Sequence, residues 1–277
     1  MGKSREADRR RRLLKTGVVS VITLLYLFPI LWMIATAFKV PNQAFAEAPT
    51  WFFTPTLDNF RQVLAGGSFG AYLGNSLIVA SASTLLALIL GSGIAYPLAR
   101  YSVPGKRQLA SWILSLRIIP PIVVIVPLFV LLSGVGLKGT IWSLVLLYTY
   151  MNLPLSVWLL RGFFAEMPVE IEEAARVDGA SGLRIFLQIT MPLTAPGLVA
   201  TGLLAFIFAW NEFLFANVLT GAYNKTAPVG LTEYVTPVSV KWTEIMAAGT
   251  LVVIPVWIAA LVTQRYLVRG LSMGAVK

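Results

Sequence analysis

The sequence contains neither cysteine nor histidine. Without cysteine there is no disulfide bond, thiol nucleophile or thiolate metal site. Without histidine the chain lacks the side chain that most often binds metals or acts as a general base near neutral pH. The phosphate-binding pattern G-x-x-x-x-G-K-[S/T] is also missing. We therefore expect a protein that is not an enzyme and that binds no metal and no cofactor of its own.

Charged residues are scarce. They make up 12% of the chain and hydrophobic residues 57%, with a mean hydropathy of +0.77. A typical soluble domain has about twice that share of charge, so the composition indicates an all-α polytopic membrane protein. The net charge of +10 would also suit a nucleic-acid partner. We expect none, because the basic residues flank the apolar runs, where they set orientation and contact anionic lipid.

Six apolar segments are long enough to cross a bilayer as helices. The first ends near Ala35-Thr36-Ala37, which looks like a signal-peptide cleavage site, but its apolar region is longer than a signal peptide's and we interpret it as a retained helix. The predicted organisation is a basic arm at 1–15, a six-helix transmembrane domain at 16–268 with spans at about 16–38, 73–99, 109–133, 139–160, 193–215 and 245–264, and a tail at 269–277.

The basic residues are distributed unevenly between the two sides of these spans, and the side with more of them faces the cytoplasm. One side carries the N-terminal arm, Arg100, Lys106, Arg107, Arg161, Arg176, Arg184, Arg265, Arg269 and Lys277. The other carries Lys39, Arg61, Lys138, Lys225 and Lys241. We therefore expect both termini in the cytoplasm, with residues 39–70 and 216–244 outside.

The stretch 168–192 mixes charged residues with small and apolar ones, and it lies between the fourth and fifth spans. Pro168 suits the start of a helix, and carboxylates follow it near the positive end of the helix dipole. Gly179 is placed to end that helix with a positive φ. Ser181 is a candidate cap for a second short helix. This pattern predicts a helix–turn–helix at the membrane surface.

The same stretch contains Glu173-Ala174-Ala175, then Gly179, then Ile189 and Met191-Pro192. This spacing resembles the signature loop of ABC importer permeases. Met191 stands where that family usually has leucine, a change that nearly conserves volume. An ordinary amphipathic connector is the alternative interpretation, and the number of matching positions argues against it.

Further motifs lie along nearly the whole chain. They are Pro55 to Phe60, Asn75-Ser76, Ala95 to Arg100, Ile119 to Pro121, Val177 to Ala180, Trp210 to Phe213 and the ending Gly270 to Lys277. Together they resemble the maltose-type, MalG-like branch of carbohydrate permeases. The resemblance implies a type I ABC importer permease fold, with six transmembrane helices and a cytoplasmic coupling helix.

The resemblance also implies partners. They are a second six-span permease, two copies of a cytoplasmic ATPase that binds ATP and magnesium, and an extracytoplasmic sugar-binding protein. It implies that the loop 163–192 couples this chain to the ATPase and that the C-terminal tail reaches the ATPase dimer. The coupling residues implied in this way are Glu172, Glu173, Ala174, Ala175, Asp178 and Gly179.

The third predicted span contains a charge and a break. Arg117 lies about 13 Å into it, at 1.5 Å per helical residue, where a charge should face a partner or a water-filled path. Pro120 and Pro121 must interrupt the helix, and the backbone carbonyls freed there are tolerable only against protein or a cavity. We interpret this region as part of a translocation path. A structural salt bridge or a contact to a neighbouring subunit explains Arg117 equally well.

Trp210, Asn211 and Glu212 lie near the outer end of the fifth span. Aromatic rings and amides suit sugars, but spacing alone favours an interfacial tryptophan anchor and a solvated glutamate. The resemblance adds these residues and Asn75 to the candidates for the translocation path.

The sequence predicts the permease subunit of an ATP-driven, binding-protein-dependent importer of a sugar or sugar derivative. Its place is the bacterial cytoplasmic membrane, where partner ATPases alternate it between inward and outward access. The alternative is an ion-coupled secondary transporter of a small polar solute. That class needs protonatable or ion-binding groups at mid-membrane depth, and the absence of histidine disfavours it.

Overall fold

The computed structural model describes residues 2–44, 46, 48–237 and 239–273 of the 277-residue chain. The regular structure of these residues is helical apart from one isolated antiparallel bridge between Val235 and Val240, which confirms the all-α prediction. In chain order the helices are α1 (Gly2–Ala37), α2 (Pro41–Ala44), α3 (Asp58–Ala65), α4 (Phe69–Arg100), α5 (Lys106–Ser115), α6 (Pro121–Gly134), α7 (Ile141–Glu166), α8 (Val169–Val177), α9 (Gly182–Ile185), α10 (Met191–Leu193), α11 (Ala195–Trp210), α12 (Leu214–Leu219), α13 (Ala227–Gly230) and α14 (Trp242–Met273). Residues 269–273 of the predicted tail form the end of α14, and residues 274–277 lie outside the described part.

Four helical segments are long and apolar enough, by length and composition, to cross a membrane. They are Arg11–Ala37 in α1, Phe69–Arg100, Ile141–Glu166 and Trp242–Gln264 in α14. Two bent pairs also meet this criterion, namely Lys106–Ile118 with Pro121–Gly134, at 88°, and Gly182–Leu193 with Ala195–Trp210, at 76°. If each pair crosses once, the described residues provide up to six spans.

The third predicted span breaks where its proline pair lies. Ile119 and Pro120 have extended backbones, with ψ angles of 120° and 130°, and Pro121 opens α6. Each proline disfavours a helical conformation in the residue before it and supplies no N–H to the helix. The predicted interruption is confirmed, and it turns the chain by 88°.

The segment predicted as the fifth span, 193–215, is also broken rather than continuous. Its main helix α11 ends at Trp210, and α12 begins at Leu214. Oε1 of Glu212 accepts the N–H of Phe215 at 3.0 Å, and Oε2 accepts that of Ala216 at 3.1 Å. These bonds satisfy N–H groups that a helix start leaves unpaired, so the carboxylate stabilises a new helix start here.

The described residues form two compact units, within 1–67 with 233–251 and within 68–232 with 252–277. In the second unit α4 packs closely on α7. A Cβ built on Gly91 of α4 would lie 2.9 Å from Cβ of Ser156, and one built on Gly197 of α11 would overlap the ring of Phe163. Small residues thus let these helices approach closely.

Gly91→Leu is expected to destabilise the chain by about 1–3 kcal/mol, because a well-packed contact has no room for added atoms. Gly93 provides a matched control: it is exposed, and no atom lies within 4 Å of its built Cβ. Thermal unfolding of the detergent-purified variants, followed by tryptophan fluorescence, measures the difference. Equal midpoints for Gly91→Leu and Gly93→Leu would contradict this description of the packing.

The first unit contains the C-terminal end of the first predicted span. The amide of Asn59 in α3 donates to the carbonyls of Ala37 and Lys39, both at 2.8 Å, so it caps the end of α1. The Lys39 ammonium lies 4.3 Å from the ring centroid of Trp32 and 5.2 Å from that of Phe53. Asn59 belongs to the P-T-L-D-N-F motif, and its buried amide gives that motif a structural purpose.

Candidate functional site

The loop at 163–192, called the signature loop here, contains a short helix with a defined turn. In α8, Glu170 and Glu172 occupy the first turn and Arg176 the last, an arrangement that complements the helix dipole. Gly179 has φ +82°. The N–H of Gly179 donates to the carbonyl of Arg176 and that of Ala180 to Ala175, both at 3.0 Å. This is a Schellman ending, and it confirms that Gly179 supplies the positive φ.

The second half of the loop begins as predicted and then changes geometry. The Ser181 hydroxyl accepts the N–H of Arg184 at 3.4 Å, which confirms Ser181 as the cap of α9. A π-helical turn, Phe186–Thr190, follows before α10. Such turns insert one residue into a helix and occur often at functional sites.

Glu172 does not lie on the exposed face of α8, and its predicted role as an ATPase contact needs correction. Its side chain is fully buried, with 0% exposure. It accepts hydrogen bonds from Nε of Arg100 at 3.1 Å, the Tyr96 hydroxyl at 3.3 Å and the Thr190 hydroxyl at 2.9 Å. A second Arg100 nitrogen, Nη2, donates to the carbonyl of Met167 at 2.8 Å. Glu172 therefore binds α8 to its own subunit.

The remaining residues assigned to coupling lie on the accessible side of the loop. Glu173, Ala174, Asp178 and Gly179 are exposed and Ala175 is half-buried. Among the described residues no hydrogen bond involves the Asp178 side chain. The turn is instead formed by the backbone bonds that end at Gly179 and the next residue.

Two apolar side chains extend this accessible face. Val177 is 88% exposed and Leu183 is 68% exposed. Both flank the turn, in a loop that also exposes Val169, Ile171 and Leu187 beside its charged residues. Exposed apolar side chains ringed by polar residues mark interaction surfaces. We define the docking face as Glu173, Ala174, Val177, Gly179 and Leu183.

A cavity of about 320 Å³ lies beside the break in the third predicted span. Its wall carries Arg117, Tyr148, Asn152 and Glu212 among apolar neighbours that include Phe208. Small-molecule sites usually measure about 300–1,000 Å³ and combine an apolar wall with a few polar groups. The cavity has the size and lining of such a site.

Arg117 and Glu212 are held differently on this wall. The Arg117 guanidinium carbon lies 4.4 Å from the ring centroid of Phe208, a cation–π contact. No carboxylate pairs with Arg117 among the residues that the structure describes. Glu212 accepts the Tyr148 hydroxyl at 2.6 Å in addition to the N–H groups of α12, so the expectation of a freely solvated glutamate is wrong.

The other path candidates lie apart from the cavity wall, with Pro121 the exception. Trp210 is 2% exposed, and its indole donates to the carbonyl of Val252 at 3.2 Å, so it is a core residue and not an interfacial anchor.

Asn211 is exposed and donates to the Ile207 carbonyl at 2.9 Å. Asn75 donates to the backbone carbonyls of Tyr223 and Lys225, at 3.3 and 3.0 Å, and these bonds hold the loop between α12 and α13 against α4. Pro120 does not line the cavity, and its extended backbone forms part of the break before α6.

Sequence reasoning missed most of the cavity wall, including Tyr148, Asn152 and Phe208. Tyr148 and Asn152 are polar groups inside a predicted span, four residues apart and so on one helix face. That spacing could have identified both residues as candidates for a polar wall inside the membrane. Nothing in the sequence marks Phe208 among the fifteen phenylalanines.

Broken apolar spans around a partly polar cavity, joined to an exposed helix–turn–helix, define a membrane permease. Comparison of the sequence with known families agrees. The chain belongs to the family of binding-protein-dependent transport system inner membrane components, which it matches over residues 83–273. The prediction of an ABC importer permease is confirmed, and the ion-coupled alternative has no support.

Curated relatives match along almost the whole chain. The trehalose/maltose transport system permease protein MalG of Thermococcus litoralis is 36% identical over 277 residues, which cover 99% of each chain. The diacetylchitobiose uptake system permease protein DasC of Streptomyces coelicolor is 35% identical over 264 residues, or 95% of each chain.

A solved structure shares the fold. It is a subunit of a bacterial ABC transporter involved in the import of the acidic polysaccharide alginate. The TM-score is 0.77 and the identity 23%, with 94% of this chain and 98% of the other covered. This likeness confirms the predicted ABC importer permease fold.

Proposed function

We propose that this chain carries a sugar or sugar derivative across the bacterial cytoplasmic membrane as one of two permease subunits. Its relatives named as permeases for trehalose, maltose and diacetylchitobiose support the carbohydrate class. Sugars expose hydroxyl groups and apolar C–H faces. The cavity offers polar groups for the hydroxyls, from Glu212, Asn152 and Arg117, and the ring of Phe208 for the C–H faces.

The signature loop is the observation on which the proposed mechanism rests. It presents an exposed docking face while Glu172, at 0% exposure, ties α8 to the spans. A partner ATPase that closes on ATP pulls on this face, and the loop transmits the movement to the spans as a rigid body. The cavity thereby changes between inward and outward access. An extracytoplasmic binding protein delivers the sugar, and a second permease completes the path.

The experiment co-expresses this chain, carrying an affinity tag, with the transport genes that lie beside its own. We expect the tag to retrieve a cytoplasmic ATPase and a second six-span permease. The separately purified binding protein is then tested with radiolabelled maltose, trehalose and diacetylchitobiose. Retrieval without an ATPase would contradict the importer proposal, and binding of a non-carbohydrate solute in preference to all three sugars would contradict the sugar class.

The orientation is also a proposal, with both termini and the signature loop in the cytoplasm. Because the native chain has no cysteine, single cysteines report sidedness without background. Ser181→Cys is expected to resist an impermeant maleimide in intact cells and to react after permeabilisation. Tyr223, which is 88% exposed in the predicted outer loop, is the control, and Tyr223→Cys is expected to react in intact cells. The reverse labelling pattern would overturn the topology.

A further inference from the structure

One buried carboxylate joins three parts of the second unit. Glu172 belongs to α8, while Tyr96 and Arg100 belong to the end of α4 and Thr190 to the π-helical turn that leads toward α11. All three donate to its two oxygens, at 2.9–3.3 Å. We define these four residues as the Glu172 node.

Arg100 extends the node to a fourth segment. While Nε contacts Glu172, Nη2 donates to the backbone carbonyl of Met167, between α7 and α8, at 2.8 Å. The Arg100 side chain is 7% exposed. One guanidinium thus fixes both the point where the chain leaves α7 and the helix that follows. A planar guanidinium group suits two such contacts at once, because the directions of its N–H bonds are fixed relative to one another.

Aromatic rings surround the node. The ring of Tyr96 lies 4.8 Å from Phe186 and 5.9 Å from Phe164, between centroids, and Phe164 lies 6.3 Å from Phe186. These contacts join α4, α7 and the π-helical turn around the buried charges. The low polarity of such surroundings strengthens the hydrogen bonds and makes any unpaired member costly.

Stability alone does not account for this arrangement. Taking two charges out of water offsets most of their attraction, and well-packed apolar residues often replace a buried ion pair with no loss of stability. What an apolar contact does not supply is direction, because it tolerates sliding and rotation. A carboxylate held by three donors fixes both the distance and the angle between α8 and the spans.

We propose that the Glu172 node is the positioning device that makes α8 move as one body with α4 and with the segment that enters α11. The inference rests on the proposed function and assigns the transmission step to particular side chains. The docking face binds the ATPase, whereas the node passes the movement on. Loss of the node leaves docking intact, and ATP hydrolysis then proceeds with little transport.

The test uses the whole complex, reconstituted in proteoliposomes with its binding protein and whichever of the three labelled sugars that protein retains. Glu172→Gln keeps the side-chain shape but removes the charge. We expect full co-purification of the ATPase and a five- to tenfold fall in sugar taken up per ATP hydrolysed, about what residues linking coupled sites contribute. Glu170→Gln, an exposed change on the same helix, is the control and should leave this ratio unchanged.

Three further variants separate transmission from folding. Arg100→Met alone leaves the Glu172 carboxylate buried without its cation, and we expect a lower yield and melting temperature. Arg100→Met combined with Glu172→Met removes both charges, and we expect its yield and melting temperature to lie closer to those of the wild type. The ratio of uptake to hydrolysis should stay low in the double variant. Thr190→Val removes one hydrogen bond of the node and keeps the ion pair, so its ratio should fall less. If uptake and hydrolysis fall in proportion in these variants, the node is merely structural and the inference is wrong. If the wild-type complex shows no sugar-stimulated hydrolysis, the proposed function itself fails.

Discussion

Gly179→Val is expected to leave the protein inserted in the membrane and to release the ATPase. Gly179 has φ +82°, and no atom lies within 4 Å of a Cβ built on it. The effect therefore comes from the backbone and not from a clash, because a β-branched residue resists this left-handed conformation. Such a misfit costs about 1–3 kcal/mol, which is large against a docking contact and small against the packing of several spans.

The measurement is the amount of ATPase that co-purifies with the tagged chain, together with sugar-stimulated ATP hydrolysis. Gly179→Asn is the matched control, since asparagine adopts this conformation more readily than other non-glycine residues, and it should retain most of the ATPase. Glu173→Lys should release the ATPase by reversing an exposed charge of the docking face, whereas Glu170→Lys should not. Full co-purification and full stimulation in both Gly179→Val and Glu173→Lys would exclude the signature loop as the coupling element.

Arg117→Leu is expected to reduce uptake about ten- to a hundredfold while the complex still assembles. The estimate corresponds to the loss of a hydrogen bond to a charged group, about 1.5–3 kcal/mol. Arg117 lies on the cavity wall over the ring of Phe208, and no carboxylate of the described residues neutralises it. Its charge is thus directed at whatever fills the cavity.

Uptake of labelled sugar into proteoliposomes and co-purification of the partners are measured together. Arg117→Lys keeps a cation and should retain part of the activity. Ile118, next in the chain, is 80% exposed and does not line the cavity, so Ile118→Leu should behave as wild type. Normal uptake by Arg117→Leu would show that the charge is incidental. Failure to assemble would instead identify Arg117 as a structural contact to a neighbouring subunit.

Local chemistry explains what the sequence predicted well. The ending of α8 depends on Gly179 and the start of α9 on Ser181, and each residue acts within a few residues of chain. The bend in the third span follows from two adjacent prolines in the same way. Such features need no knowledge of which elements meet in space.

Which residues of the signature loop are buried and which are exposed depends on partners that are distant in the sequence. Glu172 and Glu173 are adjacent and about 100° apart around the helix, and the sequence gives both the same chemistry. Arg100, 72 residues away, is what selects Glu172 for burial. The break after Trp210 was missed for a similar reason, because no proline or glycine marks it and the carboxylate of Glu212 forms the new helix start.

The central claim is that ATP hydrolysis, docked on the signature loop, drives sugar through this chain. Uptake of the labelled sugar into proteoliposomes tests it most directly, with ATP supplied on the signature-loop side and the binding protein on the other. The account predicts uptake that requires both additions and that persists when proton and sodium gradients are collapsed. Uptake that proceeds without ATP and stops when those gradients are collapsed would contradict it.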